Sequence, residues 1–293
     1  MNQAESKLNK SIILFVLLLI SGLFLFPLII TITNSFMSPH EVISRYTTTI
    51  TPENVFYQRG VMNFVRMTLI PSFVSLGQYF QLLFESPLYL GLLWNSIILA
   101  LPVVFGQLLI SVPGAYAFEI SKFKYKEPVF FTYIIVMLMP LQVTLVPNFI
   151  VADFLNIRDS YLAIILPGIF NPFGVFLVRQ FLKGMPKEYI DSMKIDGAGH
   201  LTIISELILP LIKPAIAAVL ILTFVEYWNI VDQAIVFISQ AHSEPLSVFL
   251  SRISIANSDI IFAASAFYML PAVLVFLFGQ KNMVEGIQLS GLK

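Results

Sequence analysis

The sequence contains no cysteine, which excludes disulfides, thiolate metal sites and cysteine nucleophiles. It contains no Gly-Lys dipeptide, so the phosphate-cradling G-x-x-x-x-G-K-[ST] loop is missing and ATP is not bound by that route. Its three histidines, His40, His200 and His242, lie far apart without an H-E-x-x-H pair, and no metal site is expected. No serine stands between Gly197 and Gly199, so hydrolytic catalysis has no foothold there, and no cofactor motif is found. Charge is scarce, at 12% of residues against about 25% in a soluble domain. The 17 basic and 17 acidic side chains cancel, which leaves no global basic field to hold nucleic acid. What is abundant is apolar: 57% hydrophobic residues and a mean hydropathy of +0.85. One soluble core cannot hide that much apolar surface, and lipid is the expected solvent. A cytosolic enzyme, a secreted disulfide scaffold and a disordered tail are excluded together. The chain is expected to move something rather than transform it.

A helix needs about 20 mostly apolar residues to cross about 30 Å of hydrocarbon. Six runs qualify: 11–33, 88–118, 129–151, 160–182, 215–239 and 260–280. Pro102 and Pro113 are expected to break the second, while Pro140 and Pro147 interrupt the third. Only Arg179 charges the fourth, near its end, and the fifth holds two acids, Glu226 and Asp232. The first run, preceded by Lys7 and Lys10, is too long for a signal-peptide core and lacks a small-x-small cleavage site, so it reads as an uncleaved span. The predicted architecture is all-α, polytopic and a single membrane domain over 1–293, with six spans, an extracytoplasmic loop at 34–87 and an inner loop at 183–214.

Lysine and arginine set the orientation. With both termini inside, twelve basic residues fall on the inner side: Lys7, Lys10, Lys122, Lys124, Lys126, Arg179, Lys183, Lys187, Lys194, Lys213, Lys281 and Lys293. Five fall outside: Arg45, Arg59, Arg66, Arg158 and Arg252. Every lysine is inside, which points to N-in, C-in topology.

The inner loop reads as helix, turn, helix. Pro186 suits a first helical turn; Glu188 and Asp191 follow early, where acids favour the helix dipole. Asp196-Gly197 supplies a turn that glycine can make with φ above zero. A second helix starts near Ala198 and must end or kink near Pro210. Leu201, Ile204, Leu207 and Ile208 recur on one predicted face. That face fits either a partner protein or the bilayer surface.

This segment resembles the "EAA" loop of bacterial ABC-importer permeases, whose pattern runs E-A-A-x-x-x-G, nine residues, then I-x-L-P. Asp191, Ser192 and Met193 stand in the place of E-A-A, Gly197 is the glycine, and Ile208, Leu209 and Pro210 close the pattern. Here Asp-Ser-Met replaces Glu-Ala-Ala, which keeps the carboxylate and enlarges the small residues. Further matches follow in order along the chain. Asn34, Ser35 and Phe36 resemble the N-S-F end of the family's first span, and Asn95-Ser96 its L-x-N-S-L. Ala115 to Phe118 with Phe123 resembles A-Y-A-F-x-R-x-x-F, and Val143 to Pro147 resembles V-x-L-I-P. Arg179-Gln180-Phe181 resembles L-R-Q-F; Trp228-Asn229 resembles the W-N of the fifth span; 280–293 resembles the family's tail. Only about 44–75 looks inserted. The chain is most similar to the MalG-like permeases of carbohydrate importers.

The resemblance implies one of two different permeases, assembled with two copies of a cytoplasmic ABC ATPase and an extracytoplasmic solute-binding protein. The cargo would be a sugar, expected to be an oligosaccharide, in a bacterial inner membrane. It implies ATPase coupling through Glu188, Asp191, Asp196, Gly197, Leu201, Ile204 and Pro210, and it places the tail near the ATPases. No enzymatic activity of this chain's own is implied. In the fifth span an acid at the helix centre is expensive. On a continuous helix Glu226, Asn229 and Gln233 share a face, with Asp232 further round. This stripe either lines the sugar path, with Tyr227 and Trp228 available to stack on sugar rings, or holds the bundle by interhelical hydrogen bonds. The alternative from another class is a proton-coupled secondary transporter using Glu226 and Asp232 as relays. That reading leaves the helix–turn–helix loop without a purpose and lacks the inverted repeat common in such proteins.

Overall fold

A computed structural model describes residues 3–47, 68–85, 87–253 and 260–291. Most of the apparent insertion at 44–75, with Arg59 and Arg66, lies outside the described residues, as does Lys293. The described chain is helical: α1 (Gln3–Asn34), α2 (Pro87–Glu119), α3 (Lys126–Met137), α4 (Leu141–Phe154), α5 (Leu162–Ile169), α6 (Pro172–Lys183), α7 (Lys187–Ile195), α8 (His200–Leu211), α9 (Lys213–Trp228), α10 (Asp232–Phe237), α11 (Leu246–Arg252) and α12 (Ile261–Gly291). Among the described residues, four apolar stretches are long enough to cross a membrane as they stand: Lys10–Asn34, Pro87–Glu119, Leu162–Lys183 and Ile261–Lys281. Two bent pairs bring the number to six if each is one span.

The bends follow backbone chemistry, with departures from the sequence reading. α3 and α4 meet at 100°. Their 12 and 14 residues make about 18 and 21 Å, too short to cross singly. Pro140, extended at ψ 144, cannot continue α3 and opens α4. Pro102 and Pro113, by contrast, do not break α2, which is one helix of 33 residues. In hydrocarbon the backbone has no other partner, so a proline is absorbed within the helix. The fifth span does not run unbroken over 215–239: α9 stops at Trp228 and α10 starts at Asp232. The 16 residues of α9 cover about 24 Å, short of the hydrocarbon thickness. The tail is helical through Gly291.

The chain forms two compact units. The first, Met1–Leu90 with Arg252–Met269, holds α1, whose apolar window buries none of its residues against the chain, as suits a helix with lipid for solvent. Below it the backbone is fastened by polar contacts. Gln78, fully buried, donates to the carbonyls of Asn34 and Met37 at 2.9 Å and accepts from the Ala263 N–H at 3.2 Å. Asn34 donates to the Tyr46 hydroxyl at 2.6 Å. Arg45 pairs with Glu41 at 2.7 Å and donates to Thr68 and Ser72. Burial alone would push Glu41 up, but the hydrogen bonds from Ser72 and the charge of Arg45 outweigh it and hold the carboxyl below its usual range.

The second unit, Gly91–Ser251 with Leu270–Lys293, carries the main core. Val112, Ala115 and Tyr116 of α2 meet Val175, Val178 and Leu182 of α6 and Ala215 and Val219 of α9. Ile190, Ile203, Ile208 and Ile212 of the 183–214 loop enter the same cluster. Burying one such isoleucine fully contributes about 1.5–3 kcal/mol, so the loop is fastened to α2, α6 and α9 at once by its buried isoleucines.

Candidate coupling loop and polar crevice

The loop's turn is built as its sequence requires. α7 ends at Ile195, and Gly197 takes φ +82°. The Gly197 N–H donates to Lys194 O at 3.1 Å and the Ala198 N–H to Met193 O at 2.9 Å, the paired bonds of a Schellman C-cap. A left-handed residue there strains any side chain, most of all a β-branched one. α8 follows, containing a π-helical turn at Ile203–Ile208, and swings through 79° into α9.

That wider turn changes which residues share a face. Leu201 does not join Ile204, Leu207 and Ile208 inside; it is 83% exposed, and Ile203 takes the buried place. A π turn advances the chain by more residues per revolution, so the register read at 100° per residue slips by the time it reaches Leu201. The outer side therefore presents Leu201 with Ile195, 86% exposed, and Tyr189. Glu188, Asp191 and Asp196 are exposed around them, Pro210 is exposed, and Ile204 is half-buried against the core. The loop has an anchored apolar inside and an open, mixed apolar and acidic outside.

Two polar links that the sequence reading missed tie the loop's surroundings together. The Tyr116 hydroxyl lies 2.7 Å from His200 Nδ1, joining the end of α2 to the start of α8. Arg179, at the loop's entrance, bonds Glu119 at 3.1 Å and Glu127 at 2.7 Å and stacks 3.8 Å from the Phe130 ring centre. A lone arginine in an otherwise uncharged run is the signal that could have found it, since a membrane-embedded charge calls for a partner.

The fifth-span residues converge through a break instead of a continuous face. Glu226, Tyr227, Asn229, Asp232 and Gln233 line a crevice of about 230 Å³ at the α9–α10 interruption, and Leu141 of α4 lines it too. Trp228 is not among them. It is 1% exposed and stacked on Phe224 at 5.3 Å, so its ring faces the interior of the chain rather than the crevice. Tyr227 is buried against Gly168, where an added Cβ would lie 2.7 Å from its hydroxyl. No cluster of three or more metal-ligating side chains occurs among the described residues.

Apolar helices of spanning length, a pair bent at Pro140, a broken polar helix and an anchored helix–turn–helix loop, all among the described residues, are features that suit a membrane permease. Residues 11–288 match the profile of the Binding-protein-dependent transport system inner membrane component family, and the chain belongs to it. It is a multi-pass inner-membrane protein and not an enzyme, and it works with another permease, an ATPase and a binding protein. Among curated relatives, the Arabinooligosaccharides transport system permease protein AraQ of Bacillus subtilis (strain 168) is 30% identical over 232 residues, covering 78% of this chain and 83% of that protein. The Polygalacturonan/rhamnogalacturonan transport system permease protein YtcP of the same organism is 26% identical across 99% of both chains. The sn-glycerol-3-phosphate transport system permease protein UgpE of Yersinia pestis is 29% identical over 67% of this chain and 72% of its own. The resemblance to MalG-like carbohydrate permeases is thereby borne out. The fold is shared with a solved bacterial ABC transporter involved in the import of the acidic polysaccharide alginate, at a TM-score of 0.76 and 20% identity, covering 96% of this chain and 98% of that one.

Proposed function

We propose that this chain is one of two permeases of an ATP-driven importer for a sugar, in the oligosaccharide range, delivered by a solute-binding protein. Its 183–214 loop acts as the lever that an ATPase moves. The cargo assignment draws on relatives that carry arabinooligosaccharides and polygalacturonan or rhamnogalacturonan. The bias of lysine and arginine supports N-in, C-in orientation, which puts the loop on the ATPase side. The observation that carries the lever is the two-sidedness of the loop. Its isoleucines are locked into a core shared with α2, α6 and α9, while Leu201, Ile195 and Asp191 face outward around a fixed turn. The crevice at the α9–α10 break is read as part of the translocation path, through Glu226, Asn229 and Gln233. Membership of a binding-protein-dependent family favours this over a self-sufficient proton-coupled carrier.

The test is co-purification of the ATPase with permease variants. Gly197→Val forces a β-branched residue to φ +82°, and Asp191→Lys reverses an exposed charge. Both are expected to abolish ATP-driven uptake and to cut ATPase recovery with the membrane at least tenfold, while the chain still inserts. Undiminished ATPase recovery with both variants would refute the lever.

A further inference from the structure

Two carboxylates without a counter-charge line the crevice at the α9–α10 break. Neither Glu226 nor Asp232 has an ion-pair or hydrogen-bond partner among the described residues, and no lining residue is basic. Of the described arginines that the sequence reading puts outside, Arg45 pairs with Glu41 and Arg158 with Asp153, and Arg252 is not among the crevice's lining residues. The rest of the polar lining is uncharged, from Asn229, Gln233 and Tyr227. At about 30 Å³ per water, 230 Å³ holds several waters or a few hydroxyl groups, so the carboxylates have a wet space to act across. The break itself matters. With the backbone interrupted between Trp228 and Asp232, both acids and both amides reach the same volume, which a straight helix would spread over more than one face.

We propose that Glu226 and Asp232 form an electrostatic filter that admits neutral, hydroxyl-rich saccharides and excludes uronates and phosphate esters. The inference rests on the reading of the crevice as part of the path. Amide and hydroxyl groups suit sugar hydroxyls, which both donate and accept. An incoming carboxylate or phosphate would meet like charge with no arginine or lysine of this chain's lining to receive it, and like-charge juxtaposition is how a site rejects a competitor. The relatives divide along this line. One carries arabinooligosaccharides, while others carry polygalacturonan/rhamnogalacturonan or sn-glycerol-3-phosphate. The crevice places this chain with the neutral group.

The cysteine-free sequence makes the field measurable. Gln233→Cys is introduced into the full importer in vesicles, with the other subunits' cysteines replaced. The thiol is treated with a cationic (trimethylammonium-ethyl) and an anionic (sulfonatoethyl) methanethiosulfonate, each rate being normalised to that of a free thiol. The cationic reagent is expected to react at least tenfold faster, and adding Glu226→Gln with Asp232→Asn should bring the ratio to about one. Equal normalised rates in the parent would overturn the filter while leaving the crevice a wet path. No reaction with either reagent would overturn the path reading and the filter with it. Uptake of an oligogalacturonate by the unmodified importer as fast as of a neutral arabinooligosaccharide would overturn the substrate class directly.

Discussion

Removing the Arg179 guanidinium while keeping its apolar stem, as in Arg179→Met, isolates the electrostatic share of the junction among α2, α3 and α6. The Arg179 side chain is 9% exposed and that of Glu119 15%, so this pair is largely desolvated. Glu127 is 67% exposed, and solvent screens its bond to the roughly 0–1 kcal/mol of a surface pair. Breaking a buried pair by deleting one partner costs about 3–5 kcal/mol, because the other charge is left stranded. The stack on Phe130 at 3.8 Å adds about 0.5–2 kcal/mol. Methionine refills most of the stem volume, so the cavity contribution is small, and the three contributions together give an expected loss of about 3.5–8 kcal/mol. Arg179→Met with Glu119→Gln removes both charges and should recover most of it. The measurement is a double-mutant cycle on unfolding in detergent micelles, with a coupling energy of about 2 kcal/mol or more expected. A loss below about 0.5 kcal/mol for Arg179→Met, the range of a neutral surface change, would refute the assignment of this arginine as a buried clamp.

Gly168→Ala places a Cβ within 2.8 Å of both Tyr227 and Val103; overpacking of this kind should cost about 1–3 kcal/mol and lower the thermal midpoint, and an unchanged midpoint would show that the contact relaxes freely. Asp159 is held below the usual carboxylate range by hydrogen bonds from the hydroxyl and backbone N–H of Ser239, helped by Arg158. A depressed folded value contributes stability that is present above about pH 3.9, the unperturbed value, and is lost as pH falls through the folded one. Asp159→Asn should therefore flatten the acid limb of a thermal-stability profile below pH 4, and an identical limb would contradict the assignment. Deleting residues 288–293 is expected to raise the ATP hydrolysed per sugar imported more than it reduces membrane insertion, measured as a coupling ratio in vesicles; an unchanged ratio would remove the tail from the ATPase interface.

The spans were legible in the sequence because lipid imposes one demand, about 20 apolar residues, that shows in any linear window. The turn at Gly197 was legible because few other residues take that backbone. The α9–α10 break was not, since residues 229–231 contain neither proline nor glycine and nothing local announces an interruption. The stripe of Glu226, Asn229 and Gln233 was therefore derived from a continuous helix that the chain does not form, although the same side chains meet in the crevice. The π turn in α8 likewise moved Leu201 out of a face that ideal periodicity assigns it. The Arg179 clamp joins residues 60 and 52 positions apart, and Tyr116 meets His200 across 84; no periodic pattern carries information over such separations.

The shared core beneath the loop has a mechanical consequence. Close-packed interiors have low compressibility and transmit strain instead of absorbing it. Four isoleucines from the loop are set among side chains of α2, α6 and α9, much as teeth sit between three gears on separate shafts. Under the proposed lever, a displacement of the loop would reach side chains of all three helices through this cluster. Packed cores of this kind switch between discrete arrangements and do not deform by degrees. If the proposed lever operates, its stroke would engage all three helices in the same event.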